Sequence, residues 1–250
     1  MNRDKQEMNV KIAAVITAAG SSKRMGGIKK EYAALSVQND GTAGKPLTVL
    51  GSALSAFVAS PRVDLIVITV PPGGEAEAME ALPRSGGKII FAEGGNTRQA
   101  SVCNALSLLE QYNPAWVLIH DGARPWIKPE LIEKIIDAVA VHKAVIPLLP
   151  LIETPKEGDF SGIDGTGFIL RHLRRSRVGS AQTPQAFSFG EILEAHKKAR
   201  ERDTEYTDDA EIWGEFIGPV AVIPGDAENR KITFAVDLNS QSTGGVNRSC

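Results

Sequence analysis

Residues 12–30 read IAAVITAAGSSKRMGGIKK, and this stretch is the strongest indication of the fold. Ile12–Thr17 is a short, continuous run of apolar residues, which is the pattern of a strand buried on both faces of a parallel sheet. The run stops at Ala18 and Ala19, and a loop with three glycines follows. Glycines let backbone N–H groups approach an anion closely, so this arrangement indicates an α/β nucleotide-binding protein.

The loop is also basic, because it carries Lys23, Arg24, Lys29 and Lys30. Cations this close together can screen several phosphates. The loop lacks the Gly-Lys-Ser/Thr ending of a Walker A motif and the G-x-G-x-x-G spacing of a dinucleotide site. Taken alone, it is either a phosphate-binding loop or a glycine-rich turn with solvated lysines.

Strand-length apolar runs alternate with helix-length amphipathic stretches along the chain. The predicted strands are 12–17, 63–70, 88–92, 116–120, 144–150 and 220–223, and the predicted helices are 49–59, 98–109, 129–141 and 188–202. This order predicts a three-layer, Rossmann-like α/β fold with a mostly parallel sheet and helices on both faces. Ligands bind at the carboxyl ends of such strands, so the loops after residues 17, 92 and 120 form one candidate site.

Two stretches break this alternation. Residues 36–46 are rich in turn residues and predict a hairpin loop. Residues 153–184 are polar, basic and punctuated by glycine, and we expect them to form a protruding β-arm of the kind that reaches a neighbouring subunit. We expect a single domain over 11–237, followed by a disordered tail over 238–250, which has almost no apolar residues.

The composition restricts the class of protein. The chain has 250 residues, 42% hydrophobic and 23% charged, with a formal net charge of −2. A general nucleic-acid binder needs a surplus of Lys and Arg, so a small anionic ligand fits better than a polyanion. The polar start has no signal segment, no run is long enough to span a membrane, and two cysteines imply no disulfide framework. We therefore expect a cytoplasmic protein that binds neither nucleic acid nor membrane.

Candidate ligands for phosphate and sugar groups lie in two further loops. The segment GGNTR at 94–98, with Ser101, places glycines and a helix start after a strand, where N–H groups can hold a phosphate or the edge of a base. The segment HDGARP at 120–125 ends another strand. Its Asp121 can bind Mg²⁺ or a sugar hydroxyl and its Arg124 can bind a phosphate, or the two form a structural ion pair. None of the four histidines has a partner at metal-ligand spacing, so we predict no protein metal site.

Eight motifs occur in the order found in one enzyme family, namely AAVITAAGSSKRMG, KKEY, GGNTRQASV, HDGARP, ETPK, RRSR…QTPQAF, TDDA and ENRKIT. From about residue 12 to 233 the chain resembles 2-C-methyl-D-erythritol 4-phosphate cytidylyltransferases of the non-mevalonate isoprenoid pathway. The resemblance implies transfer of CMP from CTP, with Mg²⁺, to methylerythritol phosphate in a homodimer. Family members usually continue past the KIT segment into a closing helix, whereas this chain runs into FAVDLNSQSTGG.

The resemblance also implies roles for particular residues. The catalytic set comprises Arg24, Lys30 and Lys231, of which Arg24 orients the leaving phosphates and the lysines contact the α-phosphate. The nucleotide-binding set comprises Ala18, Ala19, Gly20, Gly95, Asn96, Ser101, Asp121 and Arg124. The acceptor-binding set comprises Thr154, Arg175 and Thr207, the first two of which come from the partner's arm. No general base is needed, because the second pKa of the acceptor phosphate is about 6 and its oxygen is already ionised near neutral pH.

Three alternatives differ in what they require. A ribitol-5-phosphate cytidylyltransferase shares the fold and nucleotide, but that branch tends to carry valine before the arginine of the HDGARP motif. A non-catalytic nucleotide-binding regulator has no reason to keep both lysines, Asp121 and the acceptor-side residues together. An NAD-dependent oxidoreductase would need the dinucleotide fingerprint, which is missing.

Overall fold

The computed structural model of the chain describes residues 10–20, 29–35, 47–82, 89–159, 166–202 and 204–239. The predicted ligand Arg24, the predicted hairpin 36–46 and the tail from 240 onward lie outside these residues. At the flanks of the 36–46 segment, Ala34 and Thr48 form an isolated antiparallel bridge.

Strands and helices alternate as the sequence predicts. The strands are β1 (Ile12–Thr17), β2 (Leu65–Val70), β3 (Ile89–Glu93), β4 (Trp116–Asp121), β5 (Ala144–Pro150), β6 (Lys156–Asp159), β7 (Phe168–His172), β8 (Gly179–Ala181), β9 (Gln185–Ser188) and β10 (Ala221–Pro224). The helices are α1 (Val49–Ala59), α2 (Glu75–Ala81), α3 (Arg98–Leu109), α4 (Pro129–His142), α5 (Phe189–Arg200) and α6 (Asp209–Phe216). The sequence pattern did not predict α2, α6 or β9, which are short.

The main sheet has eight strands, with the order β10-β5-β9-β4-β1-β2-β3 and with β8 paired to β5. Strand β1 lies between β2 and β4 and is parallel to both. Strand β9 is antiparallel to its neighbours β4 and β5, so the sheet is mixed but mostly parallel. Because β1 is central, its carboxyl end at Thr17 pairs with Thr69 on one side and Asp121 on the other.

Both faces of the sheet are covered by helices. Alternate residues of β1 contribute to two separate cores, one with α1 and α4 and the other with α3, α5 and α6. Leu54 and Ile135 are fully buried on the first face, and Leu106 and Ile192 on the second. Each such side chain contributes about 1.5–3 kcal/mol through burial. The three-layer α/β prediction is confirmed.

The helices that border the site have defined starts. Thr97 caps α3 by accepting a hydrogen bond from the Ala100 N–H at 3.0 Å. Asp208 caps α6 in the same way through the Glu211 N–H at 2.9 Å. An N-cap of this type stabilises a helix by about 1 kcal/mol. This local contact fixes where α6 begins, although the helix has only eight residues.

Strands β6 and β7 pair with each other and form a two-stranded antiparallel ribbon apart from the main sheet. Three consecutive large apolar residues of β7, Phe168, Ile169 and Leu170, are exposed. Later in the 153–184 segment, β8 returns to the main sheet and pairs with β5. No helix in the described part of the chain combines the length and apolar character needed to cross a membrane.

Candidate active site

A cavity of ≈620 Å³ opens at the carboxyl edge of β1, β2 and β4. Eight of the predicted site residues line it: Ala19, Gly20, Lys30, Gly95, Asn96, Ser101, Asp121 and Lys231. Its other lining residues are Thr17, Glu31, Thr69, Thr97, Arg98, Ala123 and Glu205. The fold therefore brings the loops after residues 17, 92 and 120 to one place.

Other predicted residues lie away from the cavity wall. Ala18 is buried, and its N–H donates to the Thr69 carbonyl at 3.1 Å. Arg124 lies below the wall and donates from Nη1 to the Asn229 carbonyl at 2.8 Å. Thr207 is exposed at the start of the α6 cap, where its hydroxyl donates to Glu211 at 2.8 Å. These three side chains do not line the cavity as the chain stands alone.

The loop after β3 is shaped by close approaches that only glycine allows. A Cβ on Gly94 would lie 2.2 Å from the Ala19 Cβ, and one on Gly95 would lie 2.5 Å from the Ala100 Cβ. Ser101 holds this loop, because its hydroxyl accepts from the Gly95 N–H at 3.0 Å and donates to the Thr97 carbonyl at 2.9 Å. The loop after β3 therefore packs directly against Ala19 after β1 and against the first turn of α3, and a side chain at 94 or 95 would disrupt this packing.

Asp121 ends β4 and is the centre of charge in the cavity. Its Oδ2 lies 2.8 Å from Lys231 Nζ and 3.7 Å from Arg124 Nε, and its Oδ1 lies 3.1 Å from Arg98 Nε. Burial alone would raise the pKa of this carboxyl, but the three cations, led by Arg98, hold the pKa far below its usual range. Asp121 is therefore ionised at neutral pH.

Arg98 was not assigned a role from the sequence, although it belongs to the GGNTR segment. Its Nη2 donates to Asp209 at 2.8 Å, and the other oxygen of Asp209 accepts from His196 Nε2 at 3.2 Å. Burial lowers the pKa of Arg98, but Asp209 and Asp121 more than offset it and raise the pKa above its usual value. The signal was not visible in the sequence, because Arg98 and Asp209 are 111 residues apart.

Asp121 is connected to the buried His120 through the hydroxyl of Thr183. The Asp121 N–H donates to Thr183 Oγ1 at 3.0 Å, and that hydroxyl lies 3.1 Å from His120 Nδ1. His120 Nε2 lies 3.3 Å from the Arg124 carbonyl, which only accepts, so Nε2 carries the proton and Nδ1 accepts from Thr183. Burial lowers the pKa of His120 to about 4, so it is neutral at physiological pH.

The segment that carries Lys231 is fastened to the sheet by buried amides. Asn229 donates from Nδ2 to the Thr183 carbonyl at 2.8 Å. Gln182 donates to the Asp226 carbonyl at 2.8 Å and accepts from the Asp226 N–H at 3.0 Å. The Ile232 N–H donates to the Ala123 carbonyl at 2.8 Å. These bonds place Lys231 across the cavity from α3, with its side chain 37% exposed.

Lys30 is the second predicted lysine that lines the cavity. It opens a short 3₁₀ helix, Lys30–Tyr32, and its mostly buried side chain lies 3.8 Å from Glu31 Oε1. The pKa of Tyr32 is raised to about 12, first by burial and then by Glu77 and Glu31. The tyrosine is therefore neutral, and its ring packs against the core with Lys29 Nζ 5.5 Å from the ring centroid.

The acidic residues of the wall bear on where a divalent cation can bind. Among the described residues, no three Asp, Glu, His or Cys side chains come close enough together to hold a metal ion. Asp121, Glu31 and Glu205 nevertheless line the cavity. Mg²⁺ is commonly held by one or two carboxylates together with substrate phosphates, so this wall fits a cation that arrives with a nucleotide.

The predicted acceptor residues Thr154 and Arg175 lie beside the ribbon and do not line the cavity. Both are exposed. Arg175 donates from Nη1 to the Ile152 carbonyl at 2.7 Å, which ties the two ends of the ribbon segment together. The structure thus separates these two residues from the eight that line the cavity.

Comparisons with known proteins agree with this architecture. The family model described as IspD, 2-C-methyl-D-erythritol 4-phosphate cytidylyltransferase, matches residues 12–243. The 2-C-methyl-D-erythritol 4-phosphate cytidylyltransferase of Pelotomaculum thermopropionicum is 39% identical over 233 residues, which is 91% of each chain. The 4-diphosphocytidyl-2C-methyl-D-erythritol synthase of Anaerococcus prevotii superposes with a TM-score of 0.74 at 29% identity, covering 92% of this chain and 95% of that one.

Several relatives are longer proteins. The bifunctional enzyme IspD/IspF of Bartonella tribocorum is 35% identical over 237 residues, which is 93% of this chain but 56% of the relative. The chain therefore spans little more than half the length of these bifunctional relatives. With its α/β fold, its motif order and the match over residues 12–243, the chain belongs to the 2-C-methyl-D-erythritol 4-phosphate cytidylyltransferase (IspD) family.

Proposed function

We propose that the chain transfers CMP from CTP to 2-C-methyl-D-erythritol 4-phosphate, giving 4-diphosphocytidyl-2-C-methyl-D-erythritol and pyrophosphate for isoprenoid precursor biosynthesis. The observation that carries the proposal is the joint placement of Lys30, Lys231, Asp121 and the 95–101 segment around one cavity. Family membership and the cytidylyltransferase activity of its relatives support the choice of nucleotide and acceptor.

The chemistry needs positioning more than proton transfer. An ionised oxygen of the acceptor phosphate attacks the α-phosphorus of CTP, and the bond to the β-phosphate oxygen breaks as pyrophosphate leaves. The enzyme must bring two anions together and stabilise the charge on the α-phosphoryl oxygens. Lys30 and Lys231 both line the cavity and are our candidates for those contacts. Arg24, outside the described residues, stays a prediction for orienting the leaving phosphates.

We propose Mg²⁺ as the cofactor. Asp121, with Glu31 and Glu205 on the same wall, supplies the carboxylates that would meet it. When bound, the ion neutralises part of the triphosphate charge. Asp121 itself keeps Lys231 near the phosphates through the contact of 2.8 Å.

We also propose a homodimer that forms through the 153–184 arm. Three exposed apolar residues of β7 support it, as does the finding that neither Thr154 nor Arg175 lines the cavity of its own chain. A mixture of two variants tests the shared site. Arg175→Ala would remove the contribution of one subunit's arm, and Lys231→Ala would remove the contribution of the other subunit's cavity. Refolding the two inactive variants together should restore activity that neither has alone. No restoration, or a monomer in sedimentation, would contradict the shared site.

The activity itself is tested by pyrophosphate release from CTP and Mg²⁺ with methylerythritol phosphate and, separately, with ribitol-5-phosphate. We expect release with the first acceptor only. Release with ribitol-5-phosphate alone would identify the ribitol enzyme instead. Binding of CTP without release with either acceptor would favour a nucleotide-binding regulator. The expected cytoplasmic location stays a prediction from the sequence.

A further inference from the structure

The two carboxylate oxygens of Asp121 contact different cations. Oδ2 accepts from the partly exposed ammonium of Lys231 at 2.8 Å, whereas Oδ1 accepts from the guanidinium of Arg98 at 3.1 Å. The orientation of the carboxylate, and with it the place of Lys231, therefore depends on how firmly Arg98 is held.

Arg98 is fixed by groups deep in the core. Its planar guanidinium bridges two carboxylates, since Nε donates to Asp121 and Nη2 donates to Asp209 at 2.8 Å. Asp209 is 0% exposed at the start of α6, and its second oxygen accepts from the equally buried His196 of α5. The rigid fork of an arginine transmits that fixed position to Asp121, which the single ammonium of a lysine cannot do.

We propose that Arg98 is a positioning residue, anchored by Asp209 and His196, that orients Asp121 and through it places Lys231 for the reaction. The inference rests on the proposed function for its kinetic consequence. The Arg98 bridge also balances the buried charges. The carboxylates of Asp121 and Asp209 are both paired with Arg98, and Asp121 is paired with Arg124 and Lys231 as well.

The first experiment compares Arg98→Lys with Lys231→Ala and with the double variant. Arg98→Lys keeps the charge but loses the fork, so we expect kcat to fall by about a hundredfold, the cost of an ångström-scale displacement, with CTP affinity changed only a few-fold. In the Lys231→Ala background the same substitution should lower kcat little further, because both act through one contact. Fully multiplicative losses would overturn the proposal and leave Arg98 a stabilising ion pair.

The matched control is Arg62→Lys. Arg62 also bridges two carboxylates, Glu133 at 3.2 Å and Asp137 at 2.6 Å, but none of the three residues lines the cavity. The Arg62→Lys substitution should leave kcat unchanged. If Arg98→Lys fails to fold, the isosteric Asp209→Asn takes its place, with a smaller fall in kcat and the same lack of additivity with Lys231→Ala.

A readout other than turnover separates this inference from the proposed function. Urea denaturation of wild type, Arg98→Lys, Lys231→Ala and the double variant measures whether the two side chains are coupled in stability. We expect a clear non-additivity, since both contact the same carboxylate. If the wild-type protein released no pyrophosphate with either acceptor, the proposed function would be wrong. The non-additivity in the free energy of unfolding would still test whether Arg98 and Lys231 are coupled through Asp121. Additive losses in stability together with multiplicative losses in kcat would sink the positioning role.

Discussion

Replacing Asp121 by Asn removes one negative charge from the centre of a buried cluster and keeps the shape of the side chain. Asp121 is 8% exposed and has three cations within 3.7 Å. Removing one partner of a buried ion pair costs about 3–5 kcal/mol, because the remaining charge stays buried. Arg98 keeps Asp209, and Lys231 can turn toward water, so we expect the lower end, about 3 kcal/mol.

Asp137→Asn is the control. Asp137 Oδ1 also lies close to an arginine, at 2.6 Å from Arg62 Nη1, but its side chain is 72% exposed. Exposed pairs contribute about 0–1 kcal/mol, so this variant should be nearly neutral. Urea denaturation followed by circular dichroism gives both values on the same protein. Equal losses for the two variants would refute the argument that burial makes the Asp121 cluster energetically important.

The pH dependence gives a second check on the same variant. The pKa of Asp121 is held far below its usual range in the folded protein, so the unfolded chain takes up the proton first as the pH falls. Stabilisation by this carboxylate is therefore complete above its ordinary pKa of about 3.9 and is lost progressively below it. The stability gap between wild type and Asp121→Asn should shrink below about pH 4. A gap independent of pH would contradict the ionised state.

Three further predictions concern the cavity and its support. Lys30→Ala and Lys231→Ala should each lower kcat far more than they raise the KM for CTP in the pyrophosphate assay; a change in KM alone would make them ground-state ligands. Gly94→Ala should weaken CTP binding in calorimetry and lower the free energy of unfolding by about 1–3 kcal/mol through overpacking, because its Cβ would lie 2.2 Å from the Ala19 Cβ. Gly190→Ala is the control, since no atom lies within 4 Å of the added Cβ, and it should have neither effect. Thr183→Val should lower the free energy of unfolding by about 1–3 kcal/mol, because it removes the hydroxyl that bonds both the buried histidine and the backbone of β4; an unchanged midpoint of denaturation would show that these groups find other partners.

Much of the fold could be predicted because its signals are local. Ile12–Thr17, Val49–Ala59, Arg98–Leu109 and Ala144–Pro150 have the bounds that the sequence predicts, since long apolar runs and amphipathic helices carry their own periodicity. Strand β9 was missed because it has four residues and runs directly into α5. Helix α6 was missed because its start depends on one cap rather than on a long apolar stripe.

The sequence alone predicted which loops bind phosphate, because glycine and lysine in a loop after a buried strand act through backbone geometry and charge that are local. It also indicated Asp121, Lys30 and Lys231 as ligands. Only the tertiary structure decided how they are held. Arg124 contacts Asp121 and also donates to the Asn229 carbonyl, and Arg98 joins Asp121 to Asp209, which in turn accepts from His196. The reason is physical, since the pKa and orientation of a buried carboxylate depend on the charges packed around it, and here one of those contacts crosses 110 residues of sequence.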